Sequence, residues 1–224
     1  MSVVRVISSM ATRALLADLA ADGSARVESV GGVDAARRVA AGEPFDVVVL
    51  ASDAIDRLLS AGHLVPGSKV DLVRCDVAIA VPESAPRPSV ADEAGLRAAV
   101  SAAPRIALST GPSGTALVQR FERWGLADTV RHRLVQAPPG VPVGRLLAQG
   151  DADIGFQQLS ELLGLPGIAV LGTMPPGLEI VTTFSPACCG AARWVPDVHP
   201  LLAGWRPGAT DEMKRRHGMT DARA

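Results

Sequence analysis

Ala107-Leu108-Ser109-Thr110-Gly111-Pro112-Ser113-Gly114-Thr115 decides how this chain is read. A short apolar strand ends in Ser, Thr and Gly, and the same loop opens the helix that runs through Ala116-Leu117-Val118-Gln119-Arg120-Phe121. A helix start leaves backbone N–H groups without partners and carries a partial positive charge. It therefore suits a small anion. On this reading Ser109, Ser113, Gly114 and Thr115 form an anion cradle. An ordinary capping turn, which Ser, Thr and Gly also favour, is the competing reading.

The same arrangement recurs near the start of the chain. Val3-Val4-Arg5-Val6-Ile7 reads as a strand, Ser8-Ser9 follow, and a helix runs from about Met10. Two hydroxyl-lined helix starts on separate βα units imply one anion held between two lobes. Capping and anion binding use the same amides, so a capping role for Ser8 and Ser9 does not exclude a binding role.

Bulk composition narrows the partners. The chain has 224 residues, a formal net charge of −1 and 48% hydrophobic residues, enough for a sizeable core in one or two domains. Such a balance leaves no clustered basic surface for nucleic acid. Arg37-Arg38 and Lys214-Arg215-Arg216 read as solvated helix faces. Tyr is absent and aromatic residues are 3% of the chain, so no stacking platform for bases is evident. No stretch approaches the ~20 apolar residues of a membrane span. If Met1 is the native start, Val3–Ile7 is too short for a signal core and the expectation is a cytoplasmic protein; a missing leader would make it periplasmic. The three cysteines, Cys75, Cys188 and Cys189, lack metal-ligand spacing and read as small buried apolar residues.

Strand and helix patterns alternate along the chain. We expect strands at 3–7, 25–30, 46–50, 73–81, 105–108, 134–136, 153–156, 168–171 and 178–184. Helices are expected at 11–20, 33–41, 52–61, 93–102, 113–124, 142–149, 198–203 and 209–217, with Ser52 or Asp53 as N-cap of the third. Alternation of this kind implies an α/β fold with parallel, doubly wound sheets. Pro82, Pro86 and Pro88 mark a crossover, and Leu178–Phe184 a return path. The expected lobes are residues 1–78 with 182–224, and residues 79–181. Ligands of open α/β sheets sit beyond the carboxyl ends of the strands, where these Ser-rich loops fall.

Four segments carry a family resemblance: Ser8-Ser9-Met10-Ala11-Thr12-Arg13-Ala14-Leu15, Gly42-Glu43-Pro44-Phe45-Asp46-Val47-Val48-Val49-Leu50, Ala107-Leu108-Ser109, and Gly150-Asp151-Ala152-Asp153-Ile154-Gly155-Phe156-Gln157-Gln158-Leu159-Ser160-Glu161-Leu162. In order and spacing the chain resembles the molybdate-binding-protein-like branch of the type II periplasmic binding protein fold, over nearly its whole length. The resemblance implies two lobes joined by two crossover strands, with an oxyanion between them held by neutral donors. The first donor hydroxyl falls at Ser9, with Ser8 as competitor, and the second near Ser52. Backbone donors fall near Ser109 to Thr115 and near Val141 to Val143. The family's Tyr position falls at Gln158, whose amide can also donate. A related branch is enzymatic, the aconitate isomerases, so the resemblance admits an enzyme as well as a receptor.

Other polar residues have weaker placements. Arg13, one turn into its helix, could reach a bound carboxylate with its planar fork, or face solvent. Glu161 and Asp53 stand near the site loops as candidate bases, but read first as helix-start residues. His63, His132, His199 and His217 are scattered, with no metal-ligand spacing, and neither metal nor cofactor is expected. The expected function is closure on a small oxyanion or carboxylate. The alternative is an isomerase of the aconitate type that moves a proton next to a carboxylate, and a ligand-sensing partner of a transcription factor or transporter is a third reading. A membrane-importer partner would follow only from export.

Overall fold

The computed structural model describes residues 3–138, 140–190 and 198–222. In chain order the elements are β1 (Val4–Ser9), a 3-10 turn (Met10–Thr12), α1 (Arg13–Leu19), β2 (Ala25–Val30), α2 (Gly32–Ala40), β3 (Val47–Ala51), α3 (Ser52–Ser60) and β4 (Val73–Pro82). Then come α4 (Glu93–Ala102), β5 (Ile106–Leu108), α5 (Pro112–Arg123), α6 (Ala127–Val130), β6 (Leu134–Gln136), α7 (Val143–Ala148), β7 (Ile154–Gln158) and α8 (Leu159–Leu162). The chain ends with β8 (Ile168–Thr173), β9 (Val181–Cys188), α9 (Val198–Gly208), α10 (Asp211–Arg216) and β10 (Met219–Asp221). It divides into two compact units, Met1–Cys75 with Thr182–Ala224, and Asp76–Val181.

The first unit is built on the parallel strands β2-β1-β3, with β9 antiparallel to β3. All five residues of β3, Val47 to Ala51, are buried. An unbroken apolar run of this kind is what a strand covered on both faces requires. Helices α2 and α3 press Ala35, Val39, Ile55 and Leu58 against Ile7, Val48 and Leu50. The chain end is tied in by β10, antiparallel to the start of β4 with Met219 opposite Cys75.

The second unit repeats the plan. Its parallel strands run β6-β5-β7, β4 is antiparallel to β7, and β8 lies on the other edge of β4. In both units the middle strand comes first in sequence, the edge strand second and the inner strand third. Phe121 of α5 anchors the core, 6.0 Å from both Trp124 and Phe156, with Leu96, Ile106 and Leu117 around it. Helix α5 starts with Pro112 at its first turn, where a missing N–H loses nothing. It stops at Gly125, whose φ of +70° suits glycine.

The α/β class expected from the sequence is what forms. The sheets are mixed rather than all parallel, because β9 runs against β3 and β4 against β7. The strand expected at Val3–Ile7 continues to Ser9, since Ser8 and Ser9 pair with Ser29 and Val30 of β2. The helix after it begins as a separate 3-10 turn. Three short elements, α6, α8 and β10, went unread because three or four residues carry too little periodicity.

Candidate functional site

All three parallel strands of the first unit turn directly into helical structure at their carboxyl ends. The residues preceding those starts are Ser9, Gly31 and Ala51, and none offers a side-chain cap. Three helix starts on one sheet edge thus rely on something other than local side chains for their orphan amides.

Ser9 stands at the head of the middle strand and is 8% exposed. Its carbonyl accepts two hydroxyls, Ser8 Oγ and Thr12 Oγ1, each at 3.2 Å. Its own Oγ is buried and has no hydrogen-bond partner among the described residues. A buried polar atom without a partner is costly, and one at a strand's carboxyl end calls for a ligand or an ordered water. Ser8, the competing candidate, is fully buried and pairs with Ser29 Oγ at 2.8 Å. Gly32, first in α2, borders Ser9: an added Cβ would lie 3.7 Å from Ser9 Cβ.

The other first-unit candidates lie less deeply. Ser52 is half-buried as the first residue of α3, and the N-cap expected there at Ser52 or Asp53 falls on Ala51. The strand runs one residue further than the expected 46–50, through the apolar Ala51, and takes the cap with it. Asp53 is exposed and paired with Arg57 at 2.8 Å, one turn along. Arg13 is exposed at the start of α1.

The second unit has its own three helix starts. At the end of β5, Ser109 Oγ and Ser113 Oγ are 3.1 Å apart, and Ser113 is 6% exposed. Gly111 precedes α5 without a side-chain cap. The Gly114 and Thr115 amides, expected as cradle donors, both bond to Gly111 O at 3.0 and 3.3 Å, completing the turn instead. Thr115 itself is exposed. Gly114 serves by its missing side chain: a Cβ there would sit 2.1 Å from Ser109 O.

The backbone donors expected near Val141 to Val143 are also engaged. The Val141 N–H bonds to Pro138 O at 3.0 Å, and the Val143 N–H to Gln157 Oε1 at 2.7 Å. Gln157 Nε2 in turn donates to Glu161 Oε2 at 2.6 Å. Gln158, 5% exposed, is the last residue of β7 and precedes α8. Thr12, Ser29 and Gln157 wire the candidates in place; sequence reasoning passed over Thr12 and Ser29 and ranked Gln157 behind its neighbour Gln158 as a residue facing the ligand. Of the two passed over, only Thr12, three residues after Ser9, carried a local signal.

Among the described residues no group of three His, Cys, Asp or Glu side chains could hold a metal ion. The side chain of His199 lies outside the described residues. All three cysteines are unbridged; Cys75 and Cys189 are buried and Cys188 is half-buried. A groove of about 680 Å³ in the first unit is lined by Val3, Leu19, Asp22 and Trp205, away from every candidate above.

Comparison with known proteins matches this arrangement. The model of the family described as bacterial extracellular solute-binding proteins covers residues 4–219. The aconitate isomerase of a Pseudomonas species is 34% identical over 169 residues, 74% of this chain and 62% of that relative. The alignment therefore spans less than two thirds of the isomerase. The periplasmic molybdate-binding protein of Azotobacter vinelandii superposes with a TM-score of 0.79 at 18% identity, over 97% of this chain and 98% of that one. PEB3 of Campylobacter jejuni, in its complex with L-phospholactate, gives a TM-score of 0.72 at 17% identity, over 97% and 99%. At those identities the structures speak for the fold, which is that of the periplasmic binding proteins. With the family's pattern running from the first strand to the last, the chain belongs to the bacterial extracellular solute-binding proteins.

Proposed function

We propose that this chain binds one small oxyanion or carboxylate per molecule through uncharged donors. The buried Ser9 hydroxyl without a partner, at the head of three helix starts that no side chain caps, carries this reading. Ser109 and Ser113 supply the equivalent hydroxyl pair of the second unit. Hydrogen bonds to an ionised acceptor are about twice as strong as neutral ones, so a few fixed donors suffice. The named relatives bracket the chemistry: one binds molybdate, one was captured with L-phospholactate, one is an aconitate isomerase. Calorimetry with molybdate, L-phospholactate, cis-aconitate and trans-aconitate tests the proposal. One of them should bind with a stoichiometry of one, and Ser9→Ala should weaken it. If none of the four binds, the reading is wrong.

The 34% identity to an aconitate isomerase favours a second reading, proton transfer on an unsaturated tricarboxylate. Proton NMR of cis-aconitate incubated with the protein separates the two. Appearance of the trans isomer above the protein-free rate establishes turnover, and its absence leaves binding alone. A cytoplasmic location goes with turnover or sensing, and an exported one with delivery to a membrane importer. Fractionation of cells expressing the native gene decides which.

A further inference from the structure

Gln157 ties three pieces of the second unit together. Its Oε1 accepts the N–H of Val143, which opens α7 after the loop leaving β6, and its Nε2 donates to Glu161, in α8. Its own backbone lies in β7, next to Gln158. At 3% exposure the side chain has no freedom to exchange these partners for water. An amide is the group that fits. A carboxylate could accept from Val143 but would meet Glu161 with like charge, and an alkyl chain would strand a buried N–H. The pairing also fixes the amide's orientation, since the Val143 N–H can only donate and so must face Oε1.

We propose that Gln157 is the positioning residue for anion binding in the second unit. It holds the α7 start and the α8 start against β7, and so sets where Gln158 is presented. This rests on the anion-binding reading above. By satisfying the Val143 N–H internally it also takes that amide out of the donor set.

An exchange of the two side chains tests this. In Gln157→Glu two carboxyl groups face one another, and the original hydrogen-bond pattern returns only when they share a proton. The other charged groups on elements packed against β7 are Arg145 on α7, Arg120, Glu122 and Arg123 on α5, and Arg74 and Asp76 on β4. All are present in every variant, so comparison with wild type at the same pH cancels them. In the double variant Gln157→Glu/Glu161→Gln the introduced carboxylate accepts from both Val143 and the introduced amide, with no proton required.

Calorimetry with molybdate, L-phospholactate, cis-aconitate and trans-aconitate at pH 8, and with the three carboxylates at pH 5, gives the readout, alongside thermal unfolding. Gln157→Glu should bind about ten-fold more weakly than wild type at pH 8 and within about two-fold of it at pH 5. The double variant should stay within about two-fold at both. Wild-type affinity in Gln157→Glu at pH 8, or a double variant as weak as the single one, overturns the proposal. A lowered melting temperature with unchanged affinity also overturns it, because Gln157 would then be structural only. Failure of the wild type to bind any of these four anions would instead remove the anion-binding reading itself.

Discussion

Ser8 Oγ and Ser29 Oγ lie 2.8 Å apart across β1 and β2, and that one contact separates Ser9 from its competitor Ser8. Ser8 is satisfied inside the unit. Ser9, the next residue, has its carbonyl held by two hydroxyls and its own hydroxyl buried with no partner among the described residues. The two substitutions should therefore have opposite effects. Ser9→Ala removes an unsatisfied buried group, so the melting temperature should hold or rise while anion affinity falls about ten-fold. Ser8→Ala leaves Ser29 without its partner and should cost about 1–2 kcal/mol of stability with little change in affinity. Calorimetry and thermal unfolding on both variants check the crossing. If Ser8→Ala loses the affinity and Ser9→Ala the stability, the roles are reversed.

Gly114 makes a prediction that does not depend on any ligand. A Cβ there would lie 2.1 Å from Ser109 O, and the obstacle is backbone, which cannot swing aside. Gly114→Ala should cost about 2–4 kcal/mol and separate the Ser109 and Ser113 hydroxyls. At Gly111 an added Cβ meets nothing within 4 Å, so Gly111→Ala is the control, expected within about 1 kcal/mol of wild type. Urea unfolding of the pair would show the contrast. Equal stability of the two variants would mean that the turn relaxes at little cost.

Much of the fold was legible because its signals are local. Ala25–Val30, Glu93–Ala102 and Leu134–Gln136 emerge residue for residue where turn residues or caps bound a periodic run, as where Asp92 caps α4 through the Gly95 N–H at 2.8 Å. Strand direction was less legible: β9 reads as apolar and extended, and only its register against β3 makes it antiparallel. The site was legible as a set of loops but not as a set of atoms. Which of Ser8 and Ser9 keeps its hydroxyl unpaired depends on Ser29, twenty-one residues away. Which of Gln157 and Gln158 is committed to a helix start depends on where α7 packs. The amides of Val141, Gly114 and Thr115 looked available because a helix start in isolation is unsatisfied; here neighbouring carbonyls had already taken them.

Asp18 of α1 links the first helix to the chain's end and makes the fold acid-sensitive there. Its Oδ2 stands 2.8 Å from His217 Nε2 and also accepts from Arg216. The His217 hydrogen bond, then the Arg216 one, holds the Asp18 carboxyl below the usual carboxylate range. A carboxyl whose pKa is lower in the folded state stabilises that state above its unfolded pKa, about 3.9, and the benefit fades as pH falls through the folded value. Asp18→Asn should thus be less stable than wild type at pH 7, by no more than about 1 kcal/mol for so exposed a cluster, and the gap should close on approaching pH 3. Urea unfolding at pH 7, 5 and 3 measures it. A gap that widens toward acid would contradict the sign.

The adjacent thiols Cys188 and Cys189 should be inert while the protein is folded. Burial, with smaller contributions from the neighbouring Cys188 and from Asp46, pushes the Cys189 thiol up to about 12. Burial also raises Cys188, against a smaller opposing hydrogen bond from Ser68. The thiolate is the reactive species, so at pH 8 almost none is present at Cys189, and its 2% exposure bars the reagent as well. Iodoacetamide at pH 8 should leave Cys189 unmodified in the native protein and alkylate it fully in 8 M urea, as read by mass spectrometry of the digested chain. Labelling of native Cys189 at the rate of a free thiol would show that β9 opens at its carboxyl end. The bridge between Leu64 and Cys189 and the bond from the Cys189 N–H to Asp46 O at 2.9 Å would then have to break in the folded state.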